Sequence, residues 1–476
     1  MVGALGALVA WLGWKSLGWP LIHDAPIMHY IAWRILQGDV PYRDLFDMNF
    51  PGVYLFHMAV VRWLGDGDVA WRAVDLGVTA LASALAAALA APWGRVAALG
   101  GGLFFAAYHL ASGAWNAGQR DLLLCPLLLA GALGVARWAE GAGPSALFAG
   151  GVALGAGLTI KPHAVVFVVA LTAFIAVRAG VVGRAVAVGA LLGGVVLAPV
   201  AVGVWVASLG ALGAWREIVF GYLVPLYSRV ARPSDWLYFR WQPWIAIGAT
   251  LVISLASLAW RRGVTARHAV VMVGLAYGVV HFLGQRKGWE YHLYPLAAFA
   301  AVLLCGELER AGAGRRRLVF GTLAVGLLAT VWLLGVKGVE AADSPWIAGK
   351  ERRVSALAAE LAARTKPGDR VQVLDTTDGG VHALLRARLA QPTRFLYDFH
   401  FFHDTDRAMI QRLREELMRG LGARPPALIV LWEPGWPAGG YERFERFPAL
   451  AGWLASHYVL AHQGDGYRIH AKRHDS

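Results

Sequence analysis

Apolar runs long enough to cross a bilayer recur at 2–19, 70–91, 95–111, 121–138, 145–160, 163–178, 185–209, 243–260, 268–284, 291–308 and 318–336, each closed by charge, Pro or Gly. They predict a mainly α membrane protein, a polytopic bundle of about 11 transmembrane helices over residues 1–340. A further run at 51–64 is too short to span and is expected as an outer juxtamembrane or re-entrant helix. After Val336 the pattern changes. Helical charge patterning covers Lys350 to Arg364, strands are expected at RVQVLD and ALIVLW, and helices near His382 to Leu389 and from Thr405 to Gly420. HYVLAH and GYRIHAK read as a closing hairpin, so residues 341–476 are expected to form a small α/β domain.

One polar stretch interrupts the apolar pattern early. His23 to Tyr54 carries Asp24, Asp39, Asp44, Asp47, Arg34 and Arg43, and such charge cannot lie in hydrocarbon. Within 23–64, the first outer segment, His29 to Gln37 has the periodicity of an amphipathic helix lying in the interface. If the spans alternate, Arg95, Arg137, Arg178, Arg184, Arg261, Arg262, Arg267, Arg310 and Arg315 to Arg317 fall on one side. The positive-inside rule makes that side cytoplasmic. The extracytoplasmic side then receives 23–64, Gln119, Lys161, 208–242, 285–291 and everything after Val336.

Composition narrows the class. With 57% hydrophobic and 16% charged residues, the chain is not a soluble protein. Its formal net charge of +13 is spread over loops, which suits lipid headgroups and phosphate-bearing substrates and argues against nucleic acid. Cys125 and Cys305 lie in apolar runs and make no disulfide framework. The first apolar segment lacks a basic start and a small-residue cleavage site, so it reads as a retained helix.

Candidate chemistry gathers on the outer side. AGQRDLLLCP places Gln119, Arg120 and Asp121 at the mouth of a span, where a helix N-terminus also favours a carboxylate for structural reasons. TIKPH offers Lys161 and His163; a lysine there can snorkel, or bind a phosphate oxygen. GQRKGWEYHLYP adds Arg286, Lys287, Tyr291 and His292, a better anion site than any single cation. Asp44 is read either as an ion pair with Arg43 or as part of the site. The aromatic and basic loop 210–242 is read either as an interfacial belt or as a cover over a lipid-linked substrate. FHFFHD, with His400, His403 and Asp404, imitates a metal cluster but reads better as packing. Carboxylates and cations on one face suit glycosyl transfer from a lipid phosphate: the carboxylate takes the acceptor proton and the cations balance the leaving phosphate.

The acidic residue after the first span, GDVPYRDLFDMNFPGVYL, the GQRD segment, the KP dipeptide and the late GWEYHLYP together resemble the polytopic GT-C glycosyltransferases. The likeness is strongest to their bacterial mannosyltransferase-like and aminoarabinose-transferase-like branch. It implies a polyprenyl-phosphate-linked sugar donor, typically inverting transfer, and catalytic roles for Asp24 and Asp121. Donor-phosphate contacts are then expected from Lys161, His163, Arg286, Lys287, Tyr291 and His292, and acceptor or sugar contacts from Arg43, Asp44, Asp47, Asn49, Gln119 and Arg120. Membrane lipids and an acceptor glycan, lipid or protein are the implied partners. No cofactor is certain, and a divalent metal stays open. Asn49 and Phe50 stand where the aminoarabinose branch has a Glu-Lys pair, so lipid A is not carried over as acceptor. The alternative is a transporter or flippase of polyprenyl-linked glycans that binds without chemistry.

Overall fold

A computed structural model describes residues 2–230, 241–260, 264–314, 316–342, 345–436 and 439–473. The first helices are α1 (Val2–Lys15), α2 (Ala25–Leu36), α3 (Pro51–Trp63), α4 (Asp68–Ala90), α5 (Arg95–Ser112), α6 (Arg120–Ala139), α7 (Pro144–Ile160), α8 (Val165–Arg178) and α9 (Val181–Ser208). They continue as α10 (Leu212–Arg216), α11 (Trp241–Trp260), α12 (Ala266–Gln285), α13 (Tyr294–Ala313), α14 (Arg317–Ala342), α15 (Pro345–Arg364), α16 (Gly380–Ala387), α17 (Ala408–Ala423) and α18 (Pro448–His457). Each of the eleven predicted apolar runs is thus helical, as α1, α4 to α9 and α11 to α14.

Among the described residues, 6 of these helices are long and apolar enough to cross a membrane by length and composition, and α1, α7 and α8 are shorter apolar helices. Residues 290–308, which include most of α13, are all buried, so the other helices pack around them. Small residues set the closest approach. A Cβ on Gly155 would sit 2.2 Å from the Val195 carbonyl, and one on Gly194 would sit 2.2 Å from the Phe148 carbonyl, so α7 and α9 touch backbone to backbone.

Charged side chains gather at two ends of the bundle. At one, the Ala97 N–H donates to Glu309 (3.0 Å), Arg178 donates to the Ala139 carbonyl (3.1 Å), Arg267 pairs with Glu140, and Arg310 meets His268 (2.5 Å). Arg261, Arg262 and Arg315 lie outside the described residues. At the other end sit α2, α3 and the C-terminal domain. The helix expected from His29 begins at Ala25, because Pro26 fits the first helical turn, and Asp24 therefore stands at a helix N-terminus.

In the C-terminal domain, strands β1 (Val371–Leu374), β2 (Leu428–Trp432), β3 (Tyr458–Gly464) and β4 (Tyr467–Lys472) form one sheet of order β1-β2-β4-β3. The β1-β2 pair is parallel and the others antiparallel, so the expected hairpin is present. Helix boundaries shift by a few residues, with α16 starting at Gly380 and α17 at Ala408. The domain is fastened to the segment 23–64: the Phe46 N–H donates to the Arg394 carbonyl (2.6 Å), and the Tyr30 hydroxyl donates to the Leu389 carbonyl (3.2 Å). Ile31, Phe46, Tyr222, Phe395 and Phe401 belong to one continuous core across that junction.

Because α7 and α9 meet at backbone distance, Gly155→Leu should destabilise the protein by about 2 kcal/mol. Gly203→Leu, where nothing lies within 4 Å, should leave stability unchanged. Unfolding followed in detergent micelles checks both.

Candidate active site

The site is built where α2 and α6 begin side by side. Asp24 precedes the first turn of α2, with its carbonyl accepting the N–H groups of Ile27 and Met28. His23 before it has φ 62°, a left-handed conformation that costs a non-glycine residue about 1 kcal/mol. Its imidazole packs against Trp115 and Trp346, 5.2 and 6.2 Å between ring centres, and burial lowers it to about 4. The Asp24 carboxylate accepts from Gln119 Nε2 (3.1 Å) and lies 3.6 Å from Arg120. Burial alone would push this carboxyl up. The neighbouring His23 and Arg120, with the Gln119 hydrogen bond, outweigh that and hold it below the usual carboxylate range.

Gln119 and Arg120 are themselves held from behind. The loop preceding α6 turns through Gly118, at φ +73°, where a Cβ would strike the Trp71 indole at 2.0 Å. The Gly118 N–H donates to Asp75 Oδ1 (2.8 Å). Asp75 also takes His109 Nε2 (2.9 Å) and pairs with Arg72, and all three side chains are buried. The next residue along from Arg120 faces another way. Asp121 is fully buried, and its two oxygens meet Lys161 Nζ at 2.8 Å and His281 Nε2 at 2.6 Å. Lys161 also donates to Gln285 (3.0 Å).

These groups border a cavity of about 460 Å³ between the membrane helices and the C-terminal domain. Asp24, Arg120, Lys161, His163, Lys287, Tyr291, His292 and Asn49 line it, together with His23, Gln285 and Tyr227. From the C-terminal domain come Thr376, Thr377, Asp378, Tyr397, Phe399 and Trp436.

Compared with solved structures, the chain aligns with ArnT from Cupriavidus metallidurans bound to undecaprenyl phosphate at a TM-score of 0.62 and 14% identity, over 98% of this chain and 97% of that one. The chain has the ArnT fold. The apo state of the same ArnT gives a TM-score of 0.58 at 14% identity over the same shares, 98% and 97%. An oligosaccharyltransferase from Archaeoglobus fulgidus, in the apo form, gives 0.48 at 12% identity over 94% of this chain and 71% of that one. Neither a family model nor a curated protein matches the sequence. The ArnT fold is the architecture implied by the resemblance to polytopic GT-C glycosyltransferases.

Against this ArnT-like frame the expected site residues separate. Asp24 is on the cavity wall; Asp121 is not, because Lys161 and His281 engage both its oxygens one layer behind. Gln119 reaches the cavity only through Asp24. Arg286 is exposed, since its αL conformation (φ 54°) ends α12 and turns it outward. Lys287 turns inward, donating to the carbonyls of Tyr227 and Val230, and burial lowers it to about 8. Arg43 and Asp44 pair with each other at 2.8 Å away from the cavity, the structural reading of that pair. Asp47 is buried and accepts from the Tyr54 hydroxyl (2.6 Å) and the Asn49 N–H (2.7 Å), bracing the turn that presents Asn49.

Part of the loop 210–242 lies against the cavity. Its Val219, Leu223, Tyr227 and Ser228 line the cavity, while Arg232, Trp236, Tyr238 and Arg240 lie outside the described residues. His403 donates through Nδ1 to Asp404 (2.9 Å) and its Nε2 is hydrogen-bonded to the Tyr222 hydroxyl (2.8 Å), and His400 is enclosed by aromatic rings, so FHFFHD is packing. No group of three or more His, Cys, Asp or Glu placed to hold a metal ion occurs among the described residues.

His281 and the loop after β1 were not singled out by sequence. A histidine inside an apolar span was the available signal for the first, and the strand-to-glycine turn LDTTDGG for the second.

Removing Lys161 should leave Asp121 buried and without its cation. Lys161→Met is expected to cost about 3–5 kcal/mol. The double variant with Asp121→Asn should recover part of that loss, measured by unfolding in micelles as a double-mutant cycle.

Proposed function

We propose that the chain is a membrane glycosyltransferase that moves a sugar from a polyprenyl-phosphate donor to an acceptor on the extracytoplasmic side. The observation that carries this reading is a half-buried carboxylate, Asp24, sharing one cavity with the cations Arg120 and Lys161 at the end of the membrane bundle. The ArnT fold supports it, since ArnT has been solved with undecaprenyl phosphate bound. The clustering of Arg95, Arg178, Arg267 and Arg310 towards the opposite end supports the orientation through the positive-inside rule.

In this mechanism Asp24 takes the proton of the acceptor hydroxyl as its oxygen attacks the anomeric carbon. The bond from that carbon to the phosphate oxygen breaks, and the polyprenyl phosphate leaves with the electron pair. Arg120 and Lys161 meet the charge that develops on it, inside a cavity where such contacts count for more than in water. A single displacement of this kind inverts the anomeric centre. Asp121, His281 and Gln285 position Lys161, and Gln119 orients Asp24. Held below the usual carboxylate range, Asp24 is ionised at neutral pH and ready as a base.

Asp24→Asn should lower release of undecaprenyl phosphate from a loaded donor by about 10²–10⁴-fold while binding of undecaprenyl phosphate persists. Near wild-type release by the folded variant would remove Asp24 from the mechanism. Translocation of the intact donor without any release would favour the flippase reading.

The base is lost as pH falls through its pKa. The wild-type rate should therefore stay level from about pH 7 down to about pH 5, with its acid limb below the usual carboxylate value of about 3.9. An acid limb near pH 6 in the rate profile would contradict this.

A further inference from the structure

The cavity has a second wall with unspent polar groups. The loop from Asp375 to Gly380 runs from β1 into α16 and is held rigidly from below. Asp375 accepts the N–H groups of Asp378 (2.9 Å), Gly379 (2.9 Å) and Gly380 (2.7 Å). Buried Lys350 donates to the Thr377 carbonyl (2.5 Å). The Thr376 hydroxyl donates to Asp398 Oδ1 (2.9 Å) and accepts the Trp436 N–H (3.3 Å), and Asp398 is in turn paired with buried Arg443 (2.7 Å). This network ties the loop to the neighbouring segment that carries Trp436.

What the loop presents to the cavity is left over from that bracing. Among the described residues, the Thr377 hydroxyl and the Asp378 carboxylate make no hydrogen bond, although both residues line the cavity. Beside them stand aromatic faces: Trp436 meets Phe399 at 5.5 Å and Tyr227 at 6.1 Å between ring centres. A rigid loop offering a hydroxyl, a carboxylate and flat apolar rings suits a polyhydroxylated ring, whose hydroxyls donate to the carboxylate and whose C–H faces lie on the aromatics. A phosphate is disfavoured by the carboxylate. The ammonium of Lys350 behind the loop offsets its charge, so no cationic ligand is required.

We infer that Thr377, Asp378 and Trp436 form the acceptor subsite, which takes a neutral saccharide on the wall of the cavity that the C-terminal domain supplies. The inference rests on the transferase reading above and assigns the C-terminal domain a direct part in substrate choice. Asp378 would accept hydroxyl hydrogens of the sugar, and Trp436 would fix the plane of its ring.

The test uses the full chain in lipid nanodiscs. Saturation-transfer NMR is recorded with a mixture of neutral methyl hexosides and methyl pentosides, with glucosamine as a separate arm, and undecaprenyl phosphate binding is measured in parallel. Wild-type protein should transfer saturation to the neutral glycosides. Asp378→Ala should weaken that binding by about tenfold to hundredfold and Thr377→Val by about threefold to tenfold, both keeping wild-type affinity for undecaprenyl phosphate. No transfer in the wild type, transfer to glucosamine alone, or unchanged binding by both folded variants would overturn the subsite. Saccharide binding that behaves as expected in a protein that never releases undecaprenyl phosphate would uphold a saccharide site at these residues and overturn the transferase reading, and with it the acceptor role.

Discussion

The organising constraint is that charge buried at the end of a membrane bundle must be paired in place. Two adjacent residues at the start of α6 meet it in opposite directions. Arg120 turns to Asp24 at the start of α2, and Asp121 turns to Lys161 and His281. One helix N-terminus thereby joins α2, the α7–α8 connection and α12 around a single cavity. Separating any of these ions would leave a charge in low dielectric, a penalty of several kcal/mol, so the cations are held at defined positions before any ligand arrives.

Behind that layer lies a second one that does not line the cavity. Asp75, with Arg72 and His109, anchors the Gly118 turn, and that turn sets where Gln119 and Arg120 project. The C-terminal domain closes the cavity from the other side, fastened through Phe46, Tyr30 and Arg394 to the same segment, 23–64, that carries Asp24. The membrane part and the C-terminal domain therefore build one site between them.

How much of this was legible in the sequence follows from the range of each interaction. Apolar run length and charge placement are local, so the eleven helical runs, the small α/β domain and the two ends could be read directly. Asp24, Lys161, His163, Lys287 and His292 were reachable because charge or imidazole beside a span is conspicuous, and all of them line the cavity. Asp121 looked equivalent to Asp24, yet a one-residue step on a helix turns a side chain by about a quarter of a circle, here towards His281, 160 positions away. Arg286 and Lys287 are neighbours with opposite fates because of one left-handed residue. The wall formed by Thr377, Asp378 and Trp436 was hidden because it depends on how the C-terminal domain docks, which no local pattern records.

The central claim is that Arg120 and Lys161 form the floor on which a polyprenyl phosphate rests, beneath Asp24. A structure of the full chain with undecaprenyl phosphate in nanodiscs tests it most directly. The account predicts phosphate oxygens about 2.7–3.0 Å from Lys161 Nζ and the Arg120 guanidinium, with the lipid tail leaving towards the membrane. A phosphate held elsewhere, with Arg120 and Lys161 making only the contacts seen without ligand, would contradict it.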